Sequence, residues 1–193
     1  MISRNFIQNY LSMVADACDN INHDDVVNIY NILVKTNGLK GKIYICGNGG
    51  SSSTAAHFQN DLNNAFSCSY KTMPAYCLTD NNATLTAIAN DKSYDDIFSL
   101  QLECLLKKND ILIAISCSGN STNVIKAAEF AKTKGNKVIS LVGFDGGKLK
   151  QIADTSFHIN INNMQVCEDL HLVFCHLISK MVREKYTQYH DFS

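Results

Sequence analysis

Apolar residues recur at helical spacing early in the chain: Phe6, Tyr10, Leu11, Met13, Val14 and Ala17 within residues 3–18, then Val26, Val27, Ile29, Tyr30, Leu33 and Val34 within residues 24–35. Two opening helices are predicted. The period then changes. Residues 42–46 form a short, β-rich apolar run that empties into Gly47, Asn48, Gly49 and Gly50, the pattern of a buried strand ending in a loop. The same pattern returns at 75–78, 111–115, 138–142 and 157–161, with helical stretches at 52–65, 82–90, 94–107, 121–134 and 147–153 and a long closing helix at 165–186. Strands that alternate with helices and are apolar on both faces predict an α/β fold with a parallel sheet covered on both sides.

The chain has 193 residues, of which 46% are hydrophobic, enough for one sizeable core. No repeat, low-complexity tract or linker interrupts it, so residues 1–193 read as a single domain: a helical arm at 1–36, then an α/β core with its closing helix at 37–193. A formal charge of -1 supplies no field to draw a polyanion or an anionic membrane. No nucleic-acid or membrane partner is therefore expected. The longest apolar runs are far short of the ~20 residues of a spanning helix, and Arg4, Asn5, Gln8 and Asn9 break any apolar signal core. A cytoplasmic protein is expected. Eight cysteines sit in mostly apolar segments with no CxxC pair, which suits small buried hydrophobes better than a disulfide framework. Cys117 stands out for its loop position.

Ligands of such sheets bind beyond the carboxyl ends of the strands. Two loops there share a composition: Gly47-Asn48-Gly49-Gly50-Ser51-Ser52-Ser53-Thr54 and Ser116-Cys117-Ser118-Gly119-Asn120-Ser121-Thr122, each leading into a helix. Glycine lets main-chain amides approach an anion, hydroxyls add neutral donors, and the helix start adds unpaired N–H groups, so a phosphate can be held without lysine. The spacings GxxxxGK[ST] and GxGxxG are absent, which removes the main support for nucleotide hydrolysis and dinucleotide binding. A turn with a helix cap is the plainer reading of either loop alone.

The helix after the first loop carries His57 and Asp61 one turn apart, and the closing helix carries Glu168 and His176 two turns apart. Brought together, they suit proton transfer or the four-ligand site of a metal such as zinc. His171 falls on another face and reads as structural, while His23, His158 and His190 form no constellation. On propensity, Asn90 and Asp91 are only the turn that ends a helix.

The strings CGNGGSSSTAAHFQNDL (46–62), LTAIANDKSYDDIF (85–98), DILIAISCSGNSTNVIKAAEFAKTKGNKVISLVGFDGGKL (110–149) and EDLHLVFCHLI (168–178) resemble the phosphoheptose isomerases of the sugar-isomerase (SIS) domain superfamily over nearly the whole chain. The resemblance implies a flavodoxin-like three-layer sandwich with a five-stranded parallel sheet, in a homotetramer whose arms join subunits and whose active sites lie between them. It implies conversion of D-sedoheptulose 7-phosphate to D-glycero-D-manno-heptose 7-phosphate through an enediol, for nucleotide-activated heptose and surface polysaccharide such as lipopolysaccharide or capsule. Ser116, Cys117, Ser118 and Ser121 would hold the phosphate. Asn48, Gly49, Gly50, Ser51, His57, Asn90, Asp91 and Glu168 would line the sugar. Asp61 falls at the position of the family's base and His176 at that of its acid, and His57, Asp61, Glu168 and His176 fall where several members bind Zn2+.

Three positions depart from the family: Asp61 replaces Glu, Glu168 replaces Gln and Cys117 replaces Thr. A second carboxylate at 168 is expected to stand near Asp61 and make the site more metal-dependent. Two other readings remain: a non-catalytic SIS adaptor resembling the proteins that associate with replication initiators, and an isomerase of a different sugar phosphate. A SIS regulator is less supported, because no DNA-binding extension or basic face is evident.

Overall fold

The computed structural model describes residues 4–67 and 74–187, so Cys68 and His190 lie outside the described residues. Two helices open the chain, α1 (Arg4–Asp19) and α2 (His23–Gly38). The Asn22 side chain starts α2 by accepting the main-chain N–H groups of Asp24 and Asp25, which would otherwise lack a partner.

There follow β1 (Ile43–Gly47), α3 (Gly50–Ser67), β2 (Ala75–Cys77), α4 (Asn82–Asp91), α5 (Ser99–Leu105), β3 (Ile111–Ser116), α6 (Thr122–Thr133), β4 (Lys137–Val142), α7 (Gly147–Ile152), β5 (Thr155–His158) and α8 (Met164–Thr187). The five strands are all parallel, in the order β2-β1-β3-β4-β5. This is the predicted three-layer sandwich with a flavodoxin-like strand order.

The period of two along each strand divides the core into two layers. Ile43, Ile45, Ile113, Ile139, Leu141 and Phe157 face α2, α3 and α8, where they meet Leu33, Phe58, Leu62, Leu170, Phe174 and Ile178. Tyr44, Cys46, Leu112, Ala114, Val138 and Val142 face the other way, against Phe98, Leu102, Val124, Ala127, Ala128 and Leu149. β1 and β3 are buried throughout, which explains their unbroken apolar runs.

Two elements differ from expectation. The last strand occupies Thr155–His158 instead of 157–161, because its ladder to β4 begins at Thr155 and the chain turns once Ile159 has donated to the Val142 carbonyl. The helix expected over 94–107 is split into a 3-10 turn at Tyr94–Asp96 and the shorter α5, with Ser93 accepting the Asp95 N–H to start the turn.

α1 buries no residue and leaves Phe6, Ile7 and Leu11 exposed, while Tyr10 donates to the Asp169 carboxylate on α8. Among the described residues no helix is long and apolar enough to cross a membrane.

Candidate active site

β1 and β3 are adjacent but leave the sheet toward opposite helical layers, and the crevice between such strands is where this strand order places ligands. The two hydroxyl-rich loops begin there. A reciprocal amide pair ties them together: Asn48 Nδ2 donates to Asn123 Oδ1 at 2.8 Å and Asn123 Nδ2 donates to Asn48 Oδ1 at 2.9 Å. Tyr94 Oη also donates to Asn48 Oδ1, at 3.1 Å. Asn48 therefore fixes the loops as well as lining, with Gly49, Thr79, Thr86 and Tyr94, a pocket of about 420 Å3. Neither Asn123 nor Tyr94 stands out in the sequence; the place of Asn123 in the first turn after the serine loop is the signal that marks it.

The second loop makes a tight turn. Gly119 sits at φ +64, its N–H donates to the Ser116 carbonyl at 2.9 Å, and its carbonyl accepts the Leu149 N–H at 2.9 Å. A Cβ there would stand 2.0 Å from the Gly146 carbonyl oxygen, so the residue must be glycine for both reasons. Ser116 and Ser121 approach to 3.1 Å between hydroxyl oxygens, and Ser121 precedes α6 without a side-chain cap bond. Ser118 Oγ accepts the Asn120 N–H. Cys117 is buried, with Sγ turned toward the Met164 carbonyl at 4.0 Å. Burial first, and then the nearby Glu168 carboxylate, push its thiol up to about 12. The side chain thus serves packing, and what this residue offers a ligand is its main chain.

α3 and α8 pack along their length and run in the same direction: Gly50 meets Glu168, Phe58 meets Phe174 at 6.4 Å between ring centroids, and His57 meets His176. This pairing gathers three of the four predicted donors. His57 Nε2 lies 2.8 Å from His176 Nε2 and 3.3 Å from Asp61 Oδ2, and His176 Nε2 lies 3.9 Å from the same oxygen. Two imidazole nitrogens at that spacing require one donor and one acceptor, or a shared cation. Metal–nitrogen bonds of 2.0–2.1 Å set tetrahedral ligands ~3.3 Å apart, a value that the three spacings of 2.8, 3.3 and 3.9 Å straddle, so small side-chain shifts would bring the three atoms onto one face of a zinc tetrahedron. Both histidines are about half exposed, at 45% and 55% of the side chain, so the cluster opens to the surface.

Glu168 is not among the gathered donors. Its carboxylate packs against Gly50, where a Cβ would meet Oε1 at 2.5 Å and Oε2 at 2.7 Å. Eleven residues of helix, or about 16 Å of axis, separate Gly50 from Asp61, so the carboxylate pair expected from the sequence does not form. Ser51 is buried beside Cys117. Asn90 and Asp91 end α4, exposed and bonded to each other at 2.8 Å, and do not line the pocket beside Asn48. His171 is fully buried, in edge contact with Phe157, as its structural reading requires.

The sequence matches the SIS domain family over residues 7–143. The phosphoheptose isomerase of Helicobacter pylori strain Shi470 is 41% identical over 155 residues, spanning 80% of this chain and 81% of that protein. The chain belongs to the phosphoheptose isomerases of the SIS-domain superfamily. Another family member, from Aliarcobacter butzleri, is 40% identical over 78% of this chain and 80% of its own length. The structure of a phosphoheptose isomerase from Francisella tularensis superposes with a TM-score of 0.88 at 29% identity, covering 95% of this chain and all of that one. That of Neisseria gonorrhoeae gives 0.87 at 28% identity, covering 94% and 98%. In this family setting the paired loops and the His57, Asp61 and His176 cluster belong to an isomerase.

Proposed function

We propose that the protein interconverts D-sedoheptulose 7-phosphate and D-glycero-D-manno-heptose 7-phosphate in the cytoplasm, at the entry to nucleotide-activated heptose for lipopolysaccharide or capsule. The observation that carries this reading is the convergence of His57, Asp61 and His176 on the helix pair that leaves the loop crevice. An adaptor has no use for three converging donors. The assembly proposed is a homotetramer of single-domain chains with active sites between subunits, in which a neighbouring copy covers Phe6, Ile7 and Leu11 of the arm and the half-exposed histidines complete their surroundings.

The Ser116, Ser118 and Ser121 hydroxyls, the Cys117 amide and the start of α6 hold the phosphate, far from the reacting carbons, and so supply remote binding energy that positions them. Asn48, Gly49, Gly50 and Ser51 line the sugar, and Asn90 and Asp91, outside the pocket beside Asn48 within one chain, reach a sugar only across the subunit contact of the proposed tetramer. Asp61 presents Oδ2 to both imidazoles. Its Oδ1 is then the atom that takes a proton from C1 of the open-chain ketose. The C–H electron pair becomes the C1=C2 double bond, and His176 delivers a proton to O2 from Nδ1, because its Nε2 is the nitrogen turned toward His57 and Asp61. In the return step O1 gives its proton back to His176 and Asp61 gives the carbon-bound proton to C2, leaving the aldose. His57, Asp61 and His176 fit Zn2+, which when bound would polarise the substrate carbonyl and stabilise the negative charge of the enediolate.

The test is turnover, followed by NMR, for Asp61→Asn and His176→Ala. Each is expected to lose at least about 100-fold in kcat while the phosphate signal still reports binding. Wild-type turnover in either variant would remove that residue from the chemistry, and turnover of another ketose phosphate alone would replace the substrate.

A further inference from the structure

We propose that Asn123 and Tyr94 are positioning residues that act through Asn48: Asn123 fixes which way its amide faces, Tyr94 closes its oxygen, and Asn48 then offers the sugar a hydrogen-bond donor and no acceptor. The inference deepens the sugar-phosphate reading above and rests on it.

An asparagine amide can turn over, exchanging oxygen for nitrogen, unless its partners forbid it. Here a main-chain group decides. The Val124 N–H can only donate, and it meets Asn123 Oδ1 at 2.9 Å. The other end of that amide, Nδ2, therefore donates to Asn48 Oδ1, while Asn48 Nδ2 donates back to Asn123 Oδ1. Turning Asn48 over would set oxygen against oxygen and nitrogen against nitrogen. Asn123 is buried, so water cannot make good the loss. The Tyr94 hydroxyl donates to the same Asn48 oxygen and occupies its second lone pair. One Nδ2 proton of Asn48 remains without a partner among the described residues, on a side chain that lines the pocket.

The turn that carries Tyr94 is itself held. Ser93 accepts the Asp95 N–H, Ile97 and Phe98 are buried just behind, and Lys126 of α6 pairs with Asp96 at 2.8 Å. That ion pair ties the turn to the helix that also carries Asn123. A donor fixed in this way needs no rearrangement when a carbonyl or hydroxyl oxygen of the sugar arrives.

The experiment uses the full-length protein with Tyr94→Phe, Asn48→Ala and the two combined. Tyr94 is exposed, so the loss of its hydroxyl leaves thermal stability unchanged. Tyr94→Phe is expected to raise KM for the sugar phosphate about fivefold, with kcat within about twofold of wild type. Inorganic phosphate, titrated by 31P NMR, should bind as it does to wild type, because the serine loop is untouched. In the Asn48→Ala background the same change should alter KM by less than about 1.5-fold, since the group it acts through is gone. Asn123→Ala should raise KM at least as much as Tyr94→Phe and likewise add nothing to Asn48→Ala; if that buried change does not fold, the Tyr94 cycle alone decides.

An unchanged KM in Tyr94→Phe overturns the proposal. A fivefold rise that persists in the Asn48→Ala background would mean that Tyr94 touches the sugar directly, and equal weakening of inorganic phosphate would mean a general disturbance of the loops; either also overturns it. If wild-type protein turns over no sugar phosphate, the functional reading itself fails and takes this inference with it. Wild-type turnover with any of the three contrary results rejects the positioning roles alone.

Discussion

His171→Leu is expected to stabilise the protein, and to do so increasingly as the solution is acidified. His171 lies on the sheet-facing side of α8, with no exposed surface, and neither ring nitrogen has a hydrogen-bond partner. Leucine has nearly the same volume, so the exchange removes two stranded polar atoms without opening a cavity, a gain of about 1–3 kcal/mol at neutral pH. Burial holds the imidazole down to about 4 from its usual 6.5. The unfolded chain therefore takes up this proton at a higher pH than the folded one. Stability from neutral His171 is complete above pH 6.5 and is lost as the pH falls toward 4, a difference of roughly 3.4 kcal/mol in full and about 2 kcal/mol at pH 5. Urea unfolding of wild type and His171→Leu at pH 7 and pH 5 measures it, because other titrating groups cancel between the two proteins. Wild type should lose about 2 kcal/mol more than the variant between those conditions. Equal losses would show that His171 is solvated or paired, and the buried, neutral assignment would be refuted.

Other outcomes follow from the loop and the thiols. Gly119→Ala combines a left-handed residue, about 1 kcal/mol, with a Cβ forced onto the Gly146 carbonyl, about 2 kcal/mol more; denaturation should show the loss and KM should rise as the phosphate turn opens, while wild-type values for both would mean the turn is not rigid. A native thiol titration at pH 8 should modify the exposed Cys104 and leave Cys117, pushed up to about 12, unmodified until the protein unfolds; rapid native labelling of Cys117 would contradict its inward orientation.

Much of this architecture can be read from periodicity because the buried strands have no polar face to confuse the pattern. β1 and β3 were legible for that reason. β5 was not, since Phe157, Ile159 and Ile161 alternate as a strand would, yet the ladder to β4 uses Thr155 and Ser156, whose hydroxyl accepts a hydrogen bond from Ser140. The break after Asp96 is likewise tertiary: Tyr94 reaches across to Asn48, and Ile97 and Phe98 are drawn into the core. In the site, helical spacing was enough to put His57 with Asp61. It did not reveal that α8 runs parallel to α3, which brings His176 to that pair and leaves Glu168 two turns behind, on Gly50. Cys117 was conspicuous by its loop position, but its side chain turns away from the crevice, a direction that sequence does not encode locally.

The central claim is tested most directly by incubating the zinc-loaded protein with D-sedoheptulose 7-phosphate in deuterated water and following the sugar by NMR. The account predicts formation of the aldose heptose 7-phosphate with deuterium entering at C2, and loss of both on removal of zinc or on substitution of His176. No product and no exchange, with zinc bound and the phosphate signal showing the substrate in place, would contradict it.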